Sequence, residues 1–389
     1  MSELTPGRVG SRPRQEHAAL GSGACRACSA RSGVLVLDLG DQPACDEFPG
    51  SRDPGPDPAY PLQMWLCSSC GLAQLVGEPT VAAEPRGLEP AALVEQAADA
   101  VGRLARAGWL ADRSRATEFP SPHGGSWLPL LSRRGVASVT DDGPADLVID
   151  SFGMMHDPDQ SSALEARAAR VAPGGVLALQ YHSLGTILRL GQWNALRHGH
   201  FAYYSTGALV GMLDSIGFVP RAAWRFDLYG GTVLLAATRR RSARDACGES
   251  VGALLAEEAA LGVRDPAEVR HLQHEAEAHV RGLQEWLLCQ RAAGKKAIGY
   301  GAASRAVSLL CRAGVDTQLL PVIVDSSPAK HGLRMPGTDI PIVGPAELAA
   351  HPPDSVLLFL PDLLTEVRAS YPEVEGSGGV WVDAESLRG

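Results

Sequence analysis

The sequence predicts an α/β protein built in three parts, and three observations lead to this prediction. Two Cys-x-x-Cys pairs stand near the N-terminus, alternating strand-like and helix-like runs fill the middle, and a strand, a glycine turn and a helix meet near residue 300. At 389 residues the chain is too long for one small core. We therefore expect a disordered tail at 1–22, a cysteine module at 23–78, a middle sheet domain at 79–240, a linking helix at 241–294 and an α/β domain at 295–389.

Composition and charge exclude several classes of protein. Apolar residues make up 45% and charged residues 20% of the chain, as in ordinary globular proteins, and no apolar run is long enough to span a bilayer. The formal charge of -9 argues against a nucleic-acid surface. The polar N-terminus lacks the hydrophobic region of a secretory signal. We expect a cytoplasmic protein with reduced cysteines and no membrane or nucleic-acid partner, and the oligomeric state stays open.

Four cysteines are predicted to bind one structural zinc ion. Each Cys-x-x-Cys pair can present two thiolates to a tetrahedral ion, and 38 residues separate the pairs. The turn-rich insert FPGSRDPGPDPAYP lies between them, and we expect it to project outward. The other four cysteines share no such spacing and are predicted to be small buried residues. The predicted ligands are Cys25, Cys28, Cys67 and Cys70.

The middle part alternates between strands and helices. Short apolar runs at 136–140, 145–151, 174–180 and 230–238 predict strands, and helical patterns at 162–172 and 206–218 separate them. This order predicts a sheet with helices on its faces. The segments ADLVIDSFGMMHDPDQ and RVAPGGVLALQ resemble the later strands of class I methyltransferases that use S-adenosylmethionine (SAM).

That resemblance implies a cofactor site after the first strand, in ATEFPSPHGGSWLPLL. Glu118, Gly124 and Gly125 are the candidate residues there, and Asp141 or its neighbour Asp142 would hold the ribose. Only 20 residues separate Gly125 from the strand that begins near 146. This length suffices for one helix and one short strand, so we expect a truncated sheet.

The last part begins after one predicted helix at 246–293, whose three histidines are expected to face solvent. KKAIGYGAASRAVSLLCRAG then predicts a strand, a turn at Gly299 and Gly301, and a helix whose N-terminus can hold a phosphate. Asp325 ends the next strand, 26 residues past Gly299. A βα turn without a ligand is one alternative. An NAD-binding fingerprint of an oxidoreductase, with Asp325 on a ribose, is another, but no Tyr-x-x-x-Lys accompanies it.

Taken together, these motifs resemble the three-domain sugar C-methyltransferases, SAM-dependent enzymes that act on nucleotide-linked 4-keto-deoxysugars in antibiotic biosynthesis. The likeness covers the chain from about residue 25 to its end and is most specific in the cysteine module, in GYGAASRA and in the run from Asp325 to Ile342, which includes PAKHGLRMPGTDIPI. It implies a Rossmann-like C-terminal domain that binds a nucleotide diphosphate sugar. The implied substrate-binding residues are Tyr203, Tyr229, Gly301, Ala302, Ser304, Arg305, Asp325 and Lys330.

The segment QWNALRHGHFAYYS supplies the implied catalytic residues. Where the family has Tyr-His-Glu-His, this chain has Arg197, His198, Gly199 and His200. By that likeness His200 is the base that removes a proton beside the ketone, because imidazole titrates near neutrality. Arg197 would stabilise the enolate oxygen or a phosphate.

Other departures from the family pattern keep further alternatives open. Tyr-Gly-Gly-Thr at 229–232 replaces His-Gly-Gly-Ser, and Gln180 stands where an acid is common. A SAM-independent epimerase or isomerase, or a non-catalytic binding protein, would use the same scaffold. His198 and His200 could also serve only in packing. A metal shared by these two histidines is not expected, because residues two apart face opposite sides of a strand.

Overall fold

The computed structural model describes residues 24–53, 55–77, 91–110, 114–120, 125–139, 143–242 and 244–388. These residues form three β-sheets with helices packed against them, which confirms the α/β class. None of the helices in the described ranges combines the length and apolar character needed to cross a membrane.

The elements follow one another in three groups. The first group is β1 (Gly33–Pro43), β2 (Ala59–Cys67), β3 (Ala73–Leu75) and α1 (Ala91–Arg106). The second is β4 (Arg115–Phe119), α2 (Leu128–Ser132), β5 (Ala137–Ser138), β6 (Ala145–Ser151), α3 (Gln160–Ala169), β7 (Val171–His182), α4 (Leu184–Arg189), β8 (Ala202–Tyr203), α5 (Thr206–Ser215), β9 (Phe218–Phe226) and β10 (Thr232–Arg239). The third is α6 (Glu249–Ala260), α7 (Pro266–Val269), α8 (His271–Ala292), β11 (Ala297–Tyr300), α9 (Ser304–Arg312), β12 (Ile323–Val324), β13 (Ile342–Val343), α10 (Ala346–Ala350), β14 (Ser355–Leu358), α11 (Leu364–Ser370), α12 (Glu373–Gly376) and β15 (Val380–Asp383).

The first sheet is antiparallel and takes its last strand from far along the chain. Its order is β1-β2-β3-β8, and β8 pairs Tyr203 with Ala73 and Ala202 with Gln74. Phe201 and Tyr203 anchor this strand because both side chains are at most 2% exposed. The histidine segment, which the sequence places in the middle domain, is therefore held by the cysteine module.

The insert between the cysteine pairs packs on the C-terminal part of the chain. Ser51 N donates to Gly332 O at 2.9 Å, and Arg334 N donates to Pro49 O at 2.9 Å. The Arg334 guanidinium also binds both carboxylate oxygens of Asp57, at 2.6 and 2.7 Å. The expectation that the insert projects outward is wrong, because its backbone and the Asp57 carboxylate form hydrogen bonds with the loop around Arg334.

The middle sheet has six strands in the order β5-β4-β6-β7-β10-β9. Strands β4 to β7 are parallel, and β10 runs antiparallel to both of its neighbours. Helices α1 and α2 cover one face, and α3 and α5 cover the other. Between β4 and β6 the described residues hold one short helix and one two-residue strand, as a truncated sheet requires. The chain departs in opposite directions from β4 and β6, so the ligand crevice of an open α/β sheet lies between their carboxyl ends.

The predicted linking helix is wrong as one continuous element. Helix α6 ends at Ala260, Gly262 takes a left-handed φ of +67°, and the Asp265 side chain caps α7 at Ala267 N (2.9 Å). Pro266 at the first helical position fixes the new start. As a result α6 packs on β9, and α8 packs on β1.

The C-terminal sheet is parallel, in the order β13-β12-β11-β14-β15. The turn after β11 lies where the strand order reverses, which is the usual ligand position. One apolar cluster joins this sheet to the cysteine module and the histidine segment, and it includes Leu37, Met64, Trp193, Leu283 and Val307. Side-chain packing therefore crosses the domain boundaries that the sequence suggests.

Candidate functional site

The four predicted metal ligands converge on one point. Cys25 Sγ lies 3.5 Å from Cys70 Sγ, Cys28 Sγ lies 3.7 Å from Cys67 Sγ, and all four sulfurs lie within 4.8 Å of one another. Zn–S bonds of about 2.3 Å in a tetrahedron place neighbouring sulfurs about 3.8 Å apart. The arrangement therefore fits one tetrahedral zinc ion with a closed, all-thiolate ligand set.

Two backbone turns create this convergence. Ser29 N donates to Cys25 O at 2.9 Å, and Gly71 N donates to Cys67 O at 3.0 Å. Ser29 and Gly71 have positive φ values of 59° and 77°, which folds each turn back around its pair of sulfurs. A hydrogen bond from the Cys70 thiol lowers the pKa of Cys25 to about 5. The shift favours the thiolate form of Cys25, which is the form that binds metal.

The carboxyl edge of the middle sheet carries polar side chains on one face. Register pairs Glu118 with Ile149 and Ser151 with Gln180, and side chains two residues apart share a face. Glu118, Ser151 and Gln180 therefore lie on the face covered by α1 and α2. Glu118 Oε2 accepts a hydrogen bond from Trp127 N at 2.9 Å, and the Ser126 hydroxyl also donates to Glu118.

The structure describes two of the four predicted cofactor residues, Glu118 and Gly125. The Glu118 carboxylate holds the start of α2, and Gly125 in the same loop has a φ of +78° that favours glycine. Gly124 and Asp141, with Asp142, lie outside the described residues. Their role in cofactor binding stays a prediction.

On the opposite face, a buried ion pair shapes the turn after β6. Arg167 Nε donates to Asp150 Oδ2 at 2.6 Å, and Asp150 Oδ1 accepts from Gly153 N and Met154 N at 2.9 and 3.0 Å. Phe152 within this turn has a φ of 62°, which is rare for an aromatic residue. The turn ends at a histidine that the sequence analysis did not select.

That histidine, His156, meets His200. Their ring centroids are 4.5 Å apart and their planes cross at 82°. His156 Nδ1 lies 2.9 Å from Gly199 O, and because a carbonyl can only accept, Nδ1 carries the proton and Nε2 is the basic nitrogen. Burial and the charge of Arg197 lower the pKa of His156 to about 4. His156 is therefore neutral at pH 7 beside the predicted base, His200, which is 6% exposed.

The other predicted histidine faces away from this pair. His198 Nε2 lies 3.4 Å from Pro61 O, and its ring stands edge-on to Tyr60 on β2. Burial lowers the pKa of His198. His198 therefore contacts β2, whereas His200 contacts His156. Among the described residues, neither belongs to a cluster with metal-ligand geometry.

Arg197 connects the histidine segment to the C-terminal sheet domain. Its Nη1 donates to the Ser304 hydroxyl at the start of α9. Its backbone N donates to Tyr203 OH at 3.1 Å, which makes the buried Tyr203 an anchor of the segment. Arg197 Nε is buried without a partner among the described residues.

The ends of β7 and β10 form the next wall. His182 Nε2 lies 2.9 Å from Gln192 Oε1, and Gln192 Nε2 donates to Tyr229 O at 3.2 Å. Burial and the charge of Arg305 lower the pKa of His182 to about 3. Tyr229 has a φ of 55°, and its ring contacts Phe152 with centroids 5.9 Å apart.

The C-terminal turn is held by two residues that the sequence analysis assigned to the substrate. Ala302 N donates to Asp325 Oδ2 at 2.7 Å, and Lys330 Nζ donates to Ala302 O at 2.7 Å. Asp325 Oδ1 also accepts from Ser327 N at 2.8 Å. Asp325 and Lys330 therefore clamp the peptide groups of Ala302, and Gly301 beside it has a φ of +87°.

Ser304 and Arg305 open helix α9 toward the middle domain. No side chain caps this helix at Ala303. Arg305 is half-buried, and its charge lowers the pKa of His182 and of Glu385. The structure thus gathers His200, Arg197, Ser304 and Arg305, predicted from sequence, with the unpredicted His156 and His182.

Two family models match the chain, one over the part that holds the four cysteines and one over its C-terminal part. A model described as "Putative zinc binding domain" matches residues 25–81, and one described as "C-methyltransferase C-terminal domain" matches residues 227–384. The C-methyltransferase NovU of Streptomyces niveus is 25% identical over 401 aligned positions, which cover 92% of this chain and 94% of that protein.

Both family models and this relative are those of zinc-containing C-methyltransferases, which this chain resembles from residue 25 to residue 384. These matches support a methyltransferase, and the matched zinc-binding domain agrees with the four-cysteine cluster. Two similar solved structures cover under half of this chain. The magnesium protoporphyrin IX methyltransferase of Synechocystis PCC 6803 is 14% identical, with a TM-score of 0.28 over 38% of this chain and 83% of that one. The N-methyltransferase NodS of Bradyrhizobium japonicum WM9 is 15% identical, with a TM-score of 0.27 over 40% and 100%.

The residues that sequence reasoning missed in this C-methyltransferase share one signal. Asp150 and His156 flank the carboxyl end of β6, and His182 ends β7. Side chains at the carboxyl ends of adjacent parallel strands meet at the ligand edge. That rule, applied to every predicted strand, would have selected all three.

Proposed function

We propose that this protein transfers a methyl group from SAM to a carbon beside the keto group of a nucleotide-linked sugar, with His200 as general base. One observation carries the proposal. Arg197, three residues before His200, binds Ser304 at the uncapped N-terminus of α9. The candidate base therefore stands between the carboxyl edge of the middle sheet and the turn that would bind a nucleotide diphosphate.

The cofactor would lie in the crevice between the carboxyl ends of β4 and β6. Glu118 and the Gly124–Gly125 loop, with Asp141, are the residues that would hold it. The bonds from Ser126 and Trp127 to Glu118 support this role because they hold its carboxylate at the carboxyl end of β4, beside the crevice. When bound, SAM supplies an electrophilic methyl group.

The base would act on the acceptor carbon. A nitrogen of His200 takes the proton from the carbon beside the ketone, and the electron pair of the C–H bond passes into an enolate. Arg197 is placed to stabilise the enolate oxygen, because its Nε is buried without a partner among the described residues. The C–C bond would form at the deprotonated carbon as the S–CH3 bond of SAM breaks and S-adenosylhomocysteine leaves, and the proton would stay on His200 until solvent removes it.

The substrate anion would bind at the start of α9. The amides of Ser304 and Arg305, the Ser304 hydroxyl and the two guanidinium groups of Arg197 and Arg305 supply donors and positive charge. Asp325 and Lys330 support this site indirectly, because their side chains hold Ala302. Thymidine diphosphate is the simplest probe of this subsite.

Two variants test the proposal against each other. We expect His200→Ala to lower kcat by about 10²- to 10⁴-fold, the range of a lost general base, with little change in affinity for SAM or thymidine diphosphate. His198→Ala is the matched control, because His198 contacts β2 and not His156. Turnover and calorimetric titration provide the measurements.

Two results would contradict the proposed function. Titration that detects no SAM binding to the wild-type protein removes the methyl donor. Deuterium exchange into a keto sugar without SAM would then indicate an epimerase or isomerase on the same scaffold. Unchanged turnover of His200→Ala removes this residue as the base.

A further inference from the structure

Two polar groups at the carboxyl edge of the middle sheet have no hydrogen-bond partner among the described residues. Gln180 Nε2 and Thr232 Oγ1 are both buried and unpaired. The two residues are 2% and 0% exposed, so solvent does not reach them. Buried polar groups are nearly always paired, and an exception calls for an explanation.

The two residues belong to one surface. Strand pairing places Thr232 opposite His182 and Leu234 opposite Gln180. Gln180 and His182 are two residues apart, so all three side chains share the face that also carries Ser151. Ser151 Oγ donates to Gln180 Oε1 at 2.9 Å, which directs the amide so that Nε2 is the unpaired atom. Gln180 on β7 and Thr232 on β10 are diagonal neighbours on this face, about 7–8 Å apart.

Backbone strain flanks the same two residues. Phe152, which follows Ser151, and Tyr229, which precedes Thr232 by three positions, have φ values of 62° and 55°. Their rings contact each other. Gly231, directly before Thr232, has a φ of +145°. A Cβ at this position would lie 2.7 Å from Thr186 Cγ2. Strained residues cluster at ligand sites because the ligand contacts require that backbone path.

We propose that Gln180 and Thr232 form a subsite that hydrogen-bonds oxygens of the methyl acceptor. The subsite rests on the proposed function, and it adds two specificity-determining residues to it. The amide N–H of Gln180 requires an acceptor oxygen, and the Thr232 hydroxyl can donate or accept. A keto or hydroxyl oxygen on a sugar ring meets both needs.

The position favours the acceptor over the cofactor. The cofactor loop follows β4, whereas β7 and β10 are two and three strands away, at about 4.8 Å for each step. The subsite instead adjoins His182, which Gln192 ties to the segment that leads to His200. The acceptor ring would thus lie with its oxygens on Gln180 and Thr232 and its acidic carbon toward His200.

Thr232→Val tests the subsite, because valine keeps the shape and removes the hydroxyl. We expect its Tm to stay unchanged or rise, since an unpaired buried hydroxyl is lost. Affinity for a thymidine diphosphate keto sugar should fall about 5- to 100-fold, while affinity for thymidine diphosphate alone should not change. Thr232→Ser retains the hydroxyl and is the matched control, and Gln180→Leu should repeat the selective loss.

Two results would contradict the subsite at Gln180 and Thr232 alone, and a third would contradict the proposed function as well. Equal sugar-nucleotide affinity in wild type and Thr232→Val overturns the subsite while the proposed function stands. A lowered Tm for Thr232→Val also overturns it, because the hydroxyl would then have a structural partner. If the wild-type protein does not bind the sugar nucleotide, the proposed function fails first, and the subsite fails with it.

Discussion

His156 and His182 are kept neutral by the same two influences, burial and a nearby arginine. Arg197 acts on His156, and Arg305 acts on His182. Both rings are therefore neutral near pH 7 and can act as hydrogen-bonding groups, not as cations. In the proposed mechanism a neutral His156 favours proton uptake by His200, because a second cation in contact with that ring would disfavour it.

The lowered pKa values predict a pH dependence of stability. The folded pKa values of about 4 and about 3 lie below the ordinary histidine value near 6.5. Between the folded and unfolded pKa values, the unfolded chain binds protons that the folded chain excludes. The contribution of the two neutral histidines to the free energy of unfolding is therefore present above about pH 6.5 and is lost as the pH falls. We expect the thermal midpoint to decrease from pH 7 to pH 4.5, and less steeply in His156→Gln.

His274→Asn is the control for this series. His274 is exposed on α8, away from both arginine-flanked rings. The slope of midpoint against pH should equal that of the wild type. A His156→Gln slope as steep as the wild-type slope would contradict the role assigned to burial.

At the scale of elements, the loop around Asp57 ties the cysteine module to the C-terminal sheet. The side chains of Arg334 and Asp57 are 3% and 13% exposed, and the carboxylate also accepts from Gly337 N at 2.6 Å. Lys330, which clamps Ala302, lies over the Phe48 ring at 4.9 Å in the same contact. The insert thus supports the turn proposed to bind the nucleotide.

Removing one partner of this pair should destabilise the protein strongly. We expect Arg334→Gln to lower the free energy of unfolding by about 1–3 kcal/mol, because the partly buried Asp57 carboxylate would lose both guanidinium hydrogen bonds and keep only the one from Gly337 N. Arg225→Gln breaks a pair whose side chains are 46% and 51% exposed, and it should cost less than about 1 kcal/mol. Urea unfolding measures both variants. Similar losses in the two would show that burial does not set the strength of the Arg334 pair.

The sequence predicted local elements better than long-range pairings. Apolar runs gave β6, β7 and β10, because buried strands of a covered sheet are continuously apolar. Strand β9 was missed, since Pro220 and two arginines interrupt its pattern, as is common on an edge strand. Nothing in two residues of β8 indicates pairing with β3, because that contact depends on the packing of the whole chain.

The candidate site was predictable to a similar degree. The cysteine spacing predicts the metal cluster, because ligand spacing within each turn is local. The resemblance supplied His200 and Arg197. Neither the contact of His156 with His200 nor the unpaired state of Thr232 can be read from sequence, because each is created by neighbouring strands.

At the scale of the whole molecule, zinc and the proposed catalytic segment share one sheet. Strand β3 begins three residues after Cys70 and pairs with β8, which lies between His200 and Tyr204. The apolar cluster around Trp193 then links this sheet to the C-terminal domain. Loss of the metal should therefore affect the catalytic segment and not only the cysteine module.

Zinc removal tests this coupling. Metal analysis should find about one equivalent of zinc per chain, as expected for one closed site. Cys70→Ser should lose the metal, lower the thermal midpoint and speed hydrogen exchange at residues 197–205. Cys247→Ser, an exposed cysteine outside the cluster, should change none of these. Unchanged exchange at 197–205 in the zinc-free protein would contradict the coupling.

The pairing of β3 with β8 also sets the unit in which this protein could be recombined with a relative. A chimaera joined near residue 78 would take β3 from one parent and β8 from the other, so the backbone bonds at Ala73 and Gln74 would depend on a foreign neighbour. To keep the pairing of β3 with β8, a chimaera should therefore take residues 24–77 and 192–205 from the same parent. For the same reason, substitutions in the cysteine module can shift the position of His200, the proposed base, without any change in residues 192–205.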